Sequence, residues 1–140
     1  MSESELHIQL VRHLYIWVKN EIFEGDCGFI LAELPEFSCS RRTFNLPAGP
    51  RPDLHAKRPQ DGLLVIGEAK TTSDIETKQS QFQYLCYLEE CERNAGPAML
   101  VIAVPWHAQR SAVNLLRSLM KKNATINTCL KVIENLPEIG

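Results

Sequence analysis

The chain has 140 residues and a formal net charge of −2, with 44% hydrophobic and 23% charged residues. This composition is ordinary for a globular protein and excludes an intrinsically disordered chain. No apolar run is long enough to span a membrane, and the N-terminus lacks the basic start of a signal peptide. We therefore expect a single cytoplasmic domain over residues 1–140, without membrane contact.

The cysteines and histidines form no metal-binding motif. None of the five cysteines has the C-x-x-C spacing of a metal knuckle, and the four histidines are scattered along the chain. We interpret most of the cysteines as buried thiols and the histidines as solvated or core residues. His55 is the exception worth following, because it would lie two residues beyond Asp53 on the same strand face and could line a site there.

The N-terminal segment predicts an amphipathic helix that runs to about Asn20. Ser2 and Glu5 have the spacing of a capping box. The apolar residues that follow at helical spacing are Leu6, Leu10, Leu14 and Trp17. Glu5 has two candidate roles, one in capping this helix and one as a further acid near a metal site.

Residues 29–34 predict a strand that ends at Pro35. Residues 35–50 predict a loop, in which residues 41–44 form either a short strand or a flap that faces a substrate. Residues 63–67 are apolar and lead directly into Glu68, which predicts a second strand ending in charged residues.

Three ionisable residues are expected to meet at the end of this strand. Glu68 and Lys70 share one face, since side chains alternate along a strand. The Asp61 and Gly62 pair is a hairpin signal, and such a hairpin would fold Asp53 back beside Glu68. The alternative is an exposed, salt-bridged hairpin.

A cluster of this kind suits phosphodiester hydrolysis. Two carboxylates can hold a hard divalent cation, Mg²⁺ or Mn²⁺, that still keeps water and phosphate oxygens as ligands. The ammonium of Lys70 at its edge would stabilise the negative charge that builds up at phosphorus.

Basic residues concentrate in two segments in spite of the acidic balance. The first group is Arg41, Arg42, Arg51, Lys57 and Arg58, and the second is Arg110, Arg117, Lys121 and Lys122. Either group could contact nucleic-acid phosphates, with solvated surface as the alternative.

A second helix is predicted to begin at a capping box formed by Ser73 and Glu76 and to run to about Arg93. Its inward residues are predicted to be Ile75, Phe82 and Leu85. Gln79 and Gln81 flank that stripe, so either amide could reach a catalytic face, whereas Gln83 is expected to point farther away.

The C-terminal part predicts a strand, a helix and a further element. Residues 98–104 are apolar throughout, as in a strand buried on both faces. Residues 108–122 predict a helix whose inward residues are Ala112, Leu115, Leu116 and Leu119 and whose basic residues face outward. Residues 128–133 fit an edge strand, although a helical turn fits almost as well.

The order of these elements resembles the core of the PD-(D/E)xK nuclease superfamily over roughly residues 3 to 120. The superfamily pattern is present here as Pro52, Asp53, Glu68, Ala69 and Lys70. Within the superfamily the chain is most similar to the VRR-NUC type of domain, which is found alone in phages and prophages and fused in DNA-repair nucleases. That likeness adds Glu5 and Gln9 in the first helix and the glutamine-led helix that includes Gln81.

The resemblance implies an α/β fold with a restriction-endonuclease-like αβββαβ core, in which a mixed sheet is flanked by helices. It also implies an endonuclease that depends on Mg²⁺ or Mn²⁺ and cuts structured or branched DNA. The implied metal ligands are Asp53, Glu68 and the backbone carbonyl of Ala69. Lys70 is the implied catalytic lysine, and Glu5 and Gln81 are implied assisting residues, with Gln79 and Gln83 as rivals to Gln81.

Two other functions remain open at this stage. A non-cleaving nucleic-acid-binding module would keep the fold and use Arg41, Arg42 and Arg51 for phosphates. An interaction protein would carry the charged hairpin as solvated surface. If the chain is a nuclease, a homodimer is plausible, because cutting both strands of a DNA calls for two sites.

Overall fold

The computed structural model describes residues 4–135, which form a five-stranded mixed sheet with three α-helices packed against it. The helices are α1 (Glu5–Glu21), α2 (Lys78–Arg93) and α3 (Gln109–Lys122). The strands are β1 (Ile30–Ala32), β2 (Leu54–Arg58), β3 (Leu63–Ala69), β4 (Ala98–Pro105) and β5 (Thr128–Asn135). The predicted α/β class with a mixed sheet flanked by helices is therefore confirmed.

The strands lie in the order β1-β2-β3-β4-β5. The β1, β2 and β3 strands pair antiparallel, whereas β3, β4 and β5 pair parallel. Helices α2 and α3 connect the parallel strands, as such crossovers require. The carboxyl ends of β3, β4 and β5 consequently meet at one edge of the sheet, where the antiparallel β2 begins.

The two faces of the sheet bury separate apolar clusters. The α1 face includes Val65 and Ala69 of β3 together with Leu10 and Leu14 of α1. The opposite face packs on α2 and α3, and includes Ile66 of β3. All seven positions of β3 are buried, because helices cover both of its faces. Glu68 is one of those buried positions.

Both predicted helix caps are displaced. The α1 helix begins at Glu5, where the hydroxyl of Ser4 accepts a hydrogen bond from the backbone N–H of His7; Ser2 lies outside the described residues. The α2 helix begins at Lys78, because Thr77 Oγ1 accepts from the backbone N–H of Ser80 at 3.1 Å.

The inward face of α2 also differs from the prediction. Phe82 and Leu85 are 55% and 37% exposed, whereas Tyr84 and Tyr87 are fully buried. A tyrosine ring can be buried when its hydroxyl finds a partner. The Tyr84 hydroxyl donates to the carbonyl of Ile75 at 2.8 Å, and that of Tyr87 donates to Glu68. The helix is therefore rotated relative to a stripe chosen from hydrocarbon side chains alone.

The remaining elements largely agree with the sequence. The β4 strand is almost continuously buried, β5 is an edge strand, and the basic side chains of α3 are exposed. Between β1 and β2 the one regular element is a 3-10 turn, Cys39–Arg41, so of the two alternatives for residues 41–44 the short strand is wrong. None of the helices within residues 4–135 has the length and apolar character needed to cross a membrane.

The contact between α1 and β3 gives a stability test at Gly67. A Cβ added there would lie 2.9 Å from Leu14 Cδ2 and 3.1 Å from Leu54 Cβ. Both neighbours are fully buried, so neither can move aside freely. We expect Gly67→Ala to lower the free energy of unfolding by about 1–3 kcal/mol in urea titrations.

The control is Gly28→Ala, where the added Cβ would meet only the side chain of Asp26, at 3.2 Å. Unchanged stability of Gly67→Ala would contradict this packing.

Candidate functional site

Asp53 and Glu68 meet at the edge where β2 begins and β3 ends. The register pairs Leu54 with Gly67, so Asp53 lies opposite Glu68. The backbone N–H of Asp53 lies 3.3 Å from Glu68 Oε1, and the backbone N–H of Ala69 donates to Asp53 Oδ2 at 2.9 Å. Glu68 thus accepts a hydrogen bond from the backbone of Asp53, and Asp53 accepts one from the residue that follows Glu68.

Lys70 joins the same cluster from the residue after β3. Its ammonium lies 3.4 Å from Glu68 Oε2 and donates a hydrogen bond to Gln83 Oε1. Its backbone N–H donates to the carbonyl of Ala103 at 3.0 Å, which extends the β3 and β4 pairing past Ala69. The expected juxtaposition of Glu68 and Lys70 on one face is therefore present.

These charged groups are buried rather than exposed. Asp53, Glu68 and Lys70 are 7%, 5% and 8% accessible. Burial of three ionisable residues carries a desolvation cost that a solvated hairpin would avoid. The alternative of an exposed, salt-bridged hairpin is therefore wrong for this cluster.

The turn between β2 and β3 fixes the register. Asp61 accepts two hydrogen bonds from Arg58, at 3.1 and 2.7 Å, and a third from the backbone N–H of Leu63 at 3.1 Å. Gly62 has φ of +74°, a conformation that glycine adopts without strain. The hairpin predicted from Asp61 and Gly62 is confirmed.

Tyr87 is a member of the cluster that the sequence analysis did not identify. Its hydroxyl donates to Glu68 Oε1 at 2.9 Å from the buried face of α2. Burial raises the pKa of Glu68 to about 8, and the neighbouring charge of Asp53 adds to the rise. Lys70 and Tyr87 oppose that shift. The site therefore holds two carboxyl groups that resist being ionised together.

His7 is a second residue that was missed. It lies in the first turn of α1, and its Nε2 is 3.3 Å from Asp53 Oδ2. The sequence did contain a signal, because His7 is three residues before Leu10 and seven before Leu14, on the buried side of the helix. Interpreting the histidines other than His55 as solvated or core residues overlooked this position.

Glu5 lies elsewhere. It is exposed and borders a surface hollow with Ile8, Gln9 and Pro35. Among the described residues it forms no hydrogen bond or ion pair with the acids or the lysine of the cluster. Two residues on a helix are separated by about 200° around its axis, so Glu5 and His7 point in nearly opposite directions.

The same geometry separates Gln81 from Gln83. The Gln81 amide donates to the backbone carbonyl of Glu76 at 2.9 Å, whereas Gln83 accepts from Lys70. Gln79 is exposed. The expectation that Gln83 points away is wrong, because Tyr84 and Tyr87 occupy the inward face and carry Gln83 toward the site.

All three arginines proposed for substrate binding have structural partners. Arg42 makes two hydrogen bonds to Glu33, both at 3.0 Å, and Arg51 Nε lies 3.3 Å from Glu33 Oε1. Arg41 donates to the carbonyl of Cys27 and lies 4.7 Å from the Phe37 ring.

Glu33 in turn supports the site through the backbone. Its N–H donates to the carbonyl of Asp53 at 2.9 Å, and Thr43 Oγ1 donates to the carbonyl of Pro52 at 2.7 Å. Burial opposes ionisation of Glu33, but hydrogen bonds from Arg42 and Thr43 leave its pKa lowered overall. This network holds the segment that carries Asp53.

His55 packs beside the site rather than in its cluster. Its ring lies 4.7 Å from that of Phe44, and burial lowers its pKa. Its strand partner is Ile66, two residues before Glu68.

The donor set that remains for a cation is small. Within residues 4–135 no group of three or more His, Cys, Asp or Glu side chains could hold a metal ion. The contacts of the Asp53 carboxylate within these residues use Oδ2, and no hydrogen bond from them reaches Oδ1. The Asp53 carboxylate lies next to that of Glu68. Two adjacent carboxylates suit Mg²⁺, which retains several waters.

The chain was compared with known proteins in three ways. No protein-family model, curated protein or solved structure matches it.

The raised pKa of Glu68 gives a pH test. Its pKa is about 8 in the folded chain and about 4.3 in an unfolded one. The folded state therefore favours the protonated form, and stability is lost as pH rises between these values, by up to about 1.4 kcal/mol per unit. We expect urea titrations in EDTA at pH 5, 6.5 and 8 to show a smaller decline in Glu68→Gln.

Wild type and Glu68→Gln must be compared with each other because burial lowers the pKa of His55. That shift makes stability rise with pH, which opposes the effect of Glu68. Glu76→Gln, at an exposed position on the protein surface, is the control. A pH dependence identical in wild type and Glu68→Gln would contradict the assigned burial of charge.

Proposed function

We propose that the chain is a divalent-metal-dependent deoxyribonuclease of the PD-(D/E)xK type, similar to VRR-NUC domains, with a restriction-endonuclease-like core. The single observation that carries the proposal is the buried meeting of Asp53, Glu68 and Lys70 at one sheet edge. Two carboxylates and a lysine, separated in sequence but joined by a hairpin, are what phosphodiester hydrolysis by this class requires.

In this proposal Asp53 and Glu68 hold the cation, and the resemblance adds the backbone carbonyl of Ala69. The donor chemistry fits, since both groups are carboxylates and no hydrogen bond within residues 4–135 uses Asp53 Oδ1. Electrostatics also favours occupancy, because a cation would offset the repulsion that contributes to the raised pKa of Glu68. The bound cation would polarise the phosphate and lower the pKa of a water.

The protein's own residues position the reaction. Lys70 is 3.4 Å from Glu68 Oε2, and its hydrogen bond to Gln83 orients the ammonium. From there it would stabilise charge that develops on the phosphate oxygens. Gln83 therefore takes the assisting position that the resemblance gave to Gln81. Tyr87 and the backbone N–H of Asp53 hold Glu68 in place.

Structured or branched DNA remains the proposed substrate. The basic side chains of α3 are exposed and available to phosphates: Arg110, Arg117, Lys121 and Lys122. Arg42 and Arg51 are the weaker candidates, because Glu33 already pairs with both. Cleavage of two strands would use two copies of the chain, so a homodimer is part of the proposal.

The test is a nuclease assay with Mg²⁺ or Mn²⁺ on plasmid, nicked, flapped, linear and four-way-junction DNA. We expect Asp53→Asn and Lys70→Met each to reduce the cleavage rate about a thousandfold, because each removes a group that acts on the transition state. These near-isosteric changes spare the packing, and circular dichroism would verify folding.

The matched control is Lys78→Met, which removes an exposed lysine from the first turn of α2. Cleavage by both site variants at the wild-type rate would refute the catalytic assignment. Salt-sensitive DNA binding without cleavage in any protein would instead favour the non-cleaving binding module.

A further inference from the structure

A cleft of about 690 Å³ opens next to the candidate site, between α1 and the loops that follow the parallel strands. One wall is the outer side of α1, with Leu6, Gln9, Arg12, His13 and Ile16. The other wall consists of Thr72, Pro105, Trp106, His107 and Asn135. Its size is within the range of about 300–1,000 Å³ that is common for ligand sites.

The cleft occupies the position where α/β sheets bind ligands. Pro105 and Asn135 end β4 and β5, and Thr72 follows β3 by three residues. Ligands of open α/β sheets bind outside the carboxyl ends of the strands. Lys70 emerges at the same edge, where its backbone N–H bonds Ala103 in β4. A chain-like ligand could therefore extend from the cleft to the candidate site.

The lining of the cleft combines an exposed indole with polar side chains. Trp106 is 52% exposed, although it lies between buried Pro105 and buried Ala108. His107 holds this loop, since its Nε2 is 2.9 Å from Thr72 Oγ1 and its ring contacts the indole edge-on at 5.7 Å between centroids. No carboxylate lines the cleft among the described residues, and the one arginine in its lining, Arg12, is paired with Glu36 at 2.9 and 3.1 Å.

We propose that this cleft binds an unpaired nucleotide of the DNA strand, with the indole of Trp106 stacked on the base. This inference rests on the proposed nuclease function and specifies its substrate. An exposed indole offers a flat surface to any base, and such stacking is sequence-tolerant. The base must be unpaired, because bases within a duplex have both faces covered by their neighbours. The site would then favour flaps, junctions and single-stranded ends over blunt duplex.

The first experiment uses Trp106 itself as the reporter. The chain has two tryptophans, so the Trp17→Phe protein retains Trp106 alone. Its fluorescence is titrated with oligo-dT in low salt and EDTA, which prevents cleavage. We expect saturable quenching by oligo-dT and little quenching by a blunt duplex of equal length.

The second experiment measures affinity by anisotropy of labelled oligo-dT in EDTA. We expect Trp106→Ala to weaken binding about tenfold or more and Trp106→Phe to retain most of it. The control is Phe29→Ala, since Phe29 is 50% exposed and precedes β1, whose first residue pairs with Ala56 beyond His55 and away from Asp53. That variant should bind as wild type does.

The outcomes separate this inference from the nuclease proposal. The stacking cleft is overturned if Trp106→Ala binds oligo-dT with wild-type affinity, or if the substitution weakens binding of blunt duplex as much as binding of oligo-dT. Either result stands even if the Asp53 and Lys70 variants lose cleavage. Weakened oligo-dT binding in Trp106→Ala supports the cleft even if no protein cleaves DNA, and in that case only the catalytic proposal fails.

Discussion

The antiparallel pairing of β2 with β3 is the constraint on which the site depends. Side chains alternate along both strands, so a slip of one residue would turn Asp53 away from Glu68. The turn prevents such a slip, because Asp61 binds both Arg58 and the backbone of Leu63. The β3 strand also packs against α1 on one face of the sheet and against α2 on the other.

Burial gives the cluster its chemical character. In water, the charges of two carboxylates and an ammonium would interact only weakly. Here the three side chains are only a few per cent exposed, so their charges interact strongly. Burial and repulsion raise the pKa of Glu68, while Lys70 and Tyr87 lower it. A bound divalent cation would favour the ionised form of Glu68, because its charge would offset the repulsion from Asp53. Rigid support from Glu33 and Thr43 keeps the segment with Asp53 in place.

The sequence predicted most of the helices and strands and the centre of the candidate site because their signals are local. An apolar run identifies a buried strand, the Asp61 and Gly62 pair identifies a turn, and alternation then puts Glu68 and Lys70 together. None of these steps needs knowledge of the tertiary structure. The same reasoning identified β4 and the inward residues of α3.

The errors arose where a polar atom is satisfied by a distant partner. Tyr84 and Tyr87 face inward because Ile75 and Glu68, which lie outside α2, accept hydrogen bonds from their hydroxyls. The rotation of α2 that follows brings Gln83 rather than Gln81 to Lys70. In the same way, the sequence predicted Arg42 and Arg51 to bind phosphates, whereas in the structure both pair with Glu33. Such partners cannot be identified from spacing along one chain.

The central claim is that Asp53 and Glu68 together bind one divalent cation. Electron paramagnetic resonance with Mn²⁺, in the absence of DNA, tests it directly, because free and bound ion are counted separately. Wild type should bind one ion per chain, and Asp53→Asn and Glu68→Gln should each weaken that binding at least a hundredfold, about the upper end of the losses seen when supporting groups around a metal are removed. Equal Mn²⁺ binding by wild type and both variants would contradict the claim.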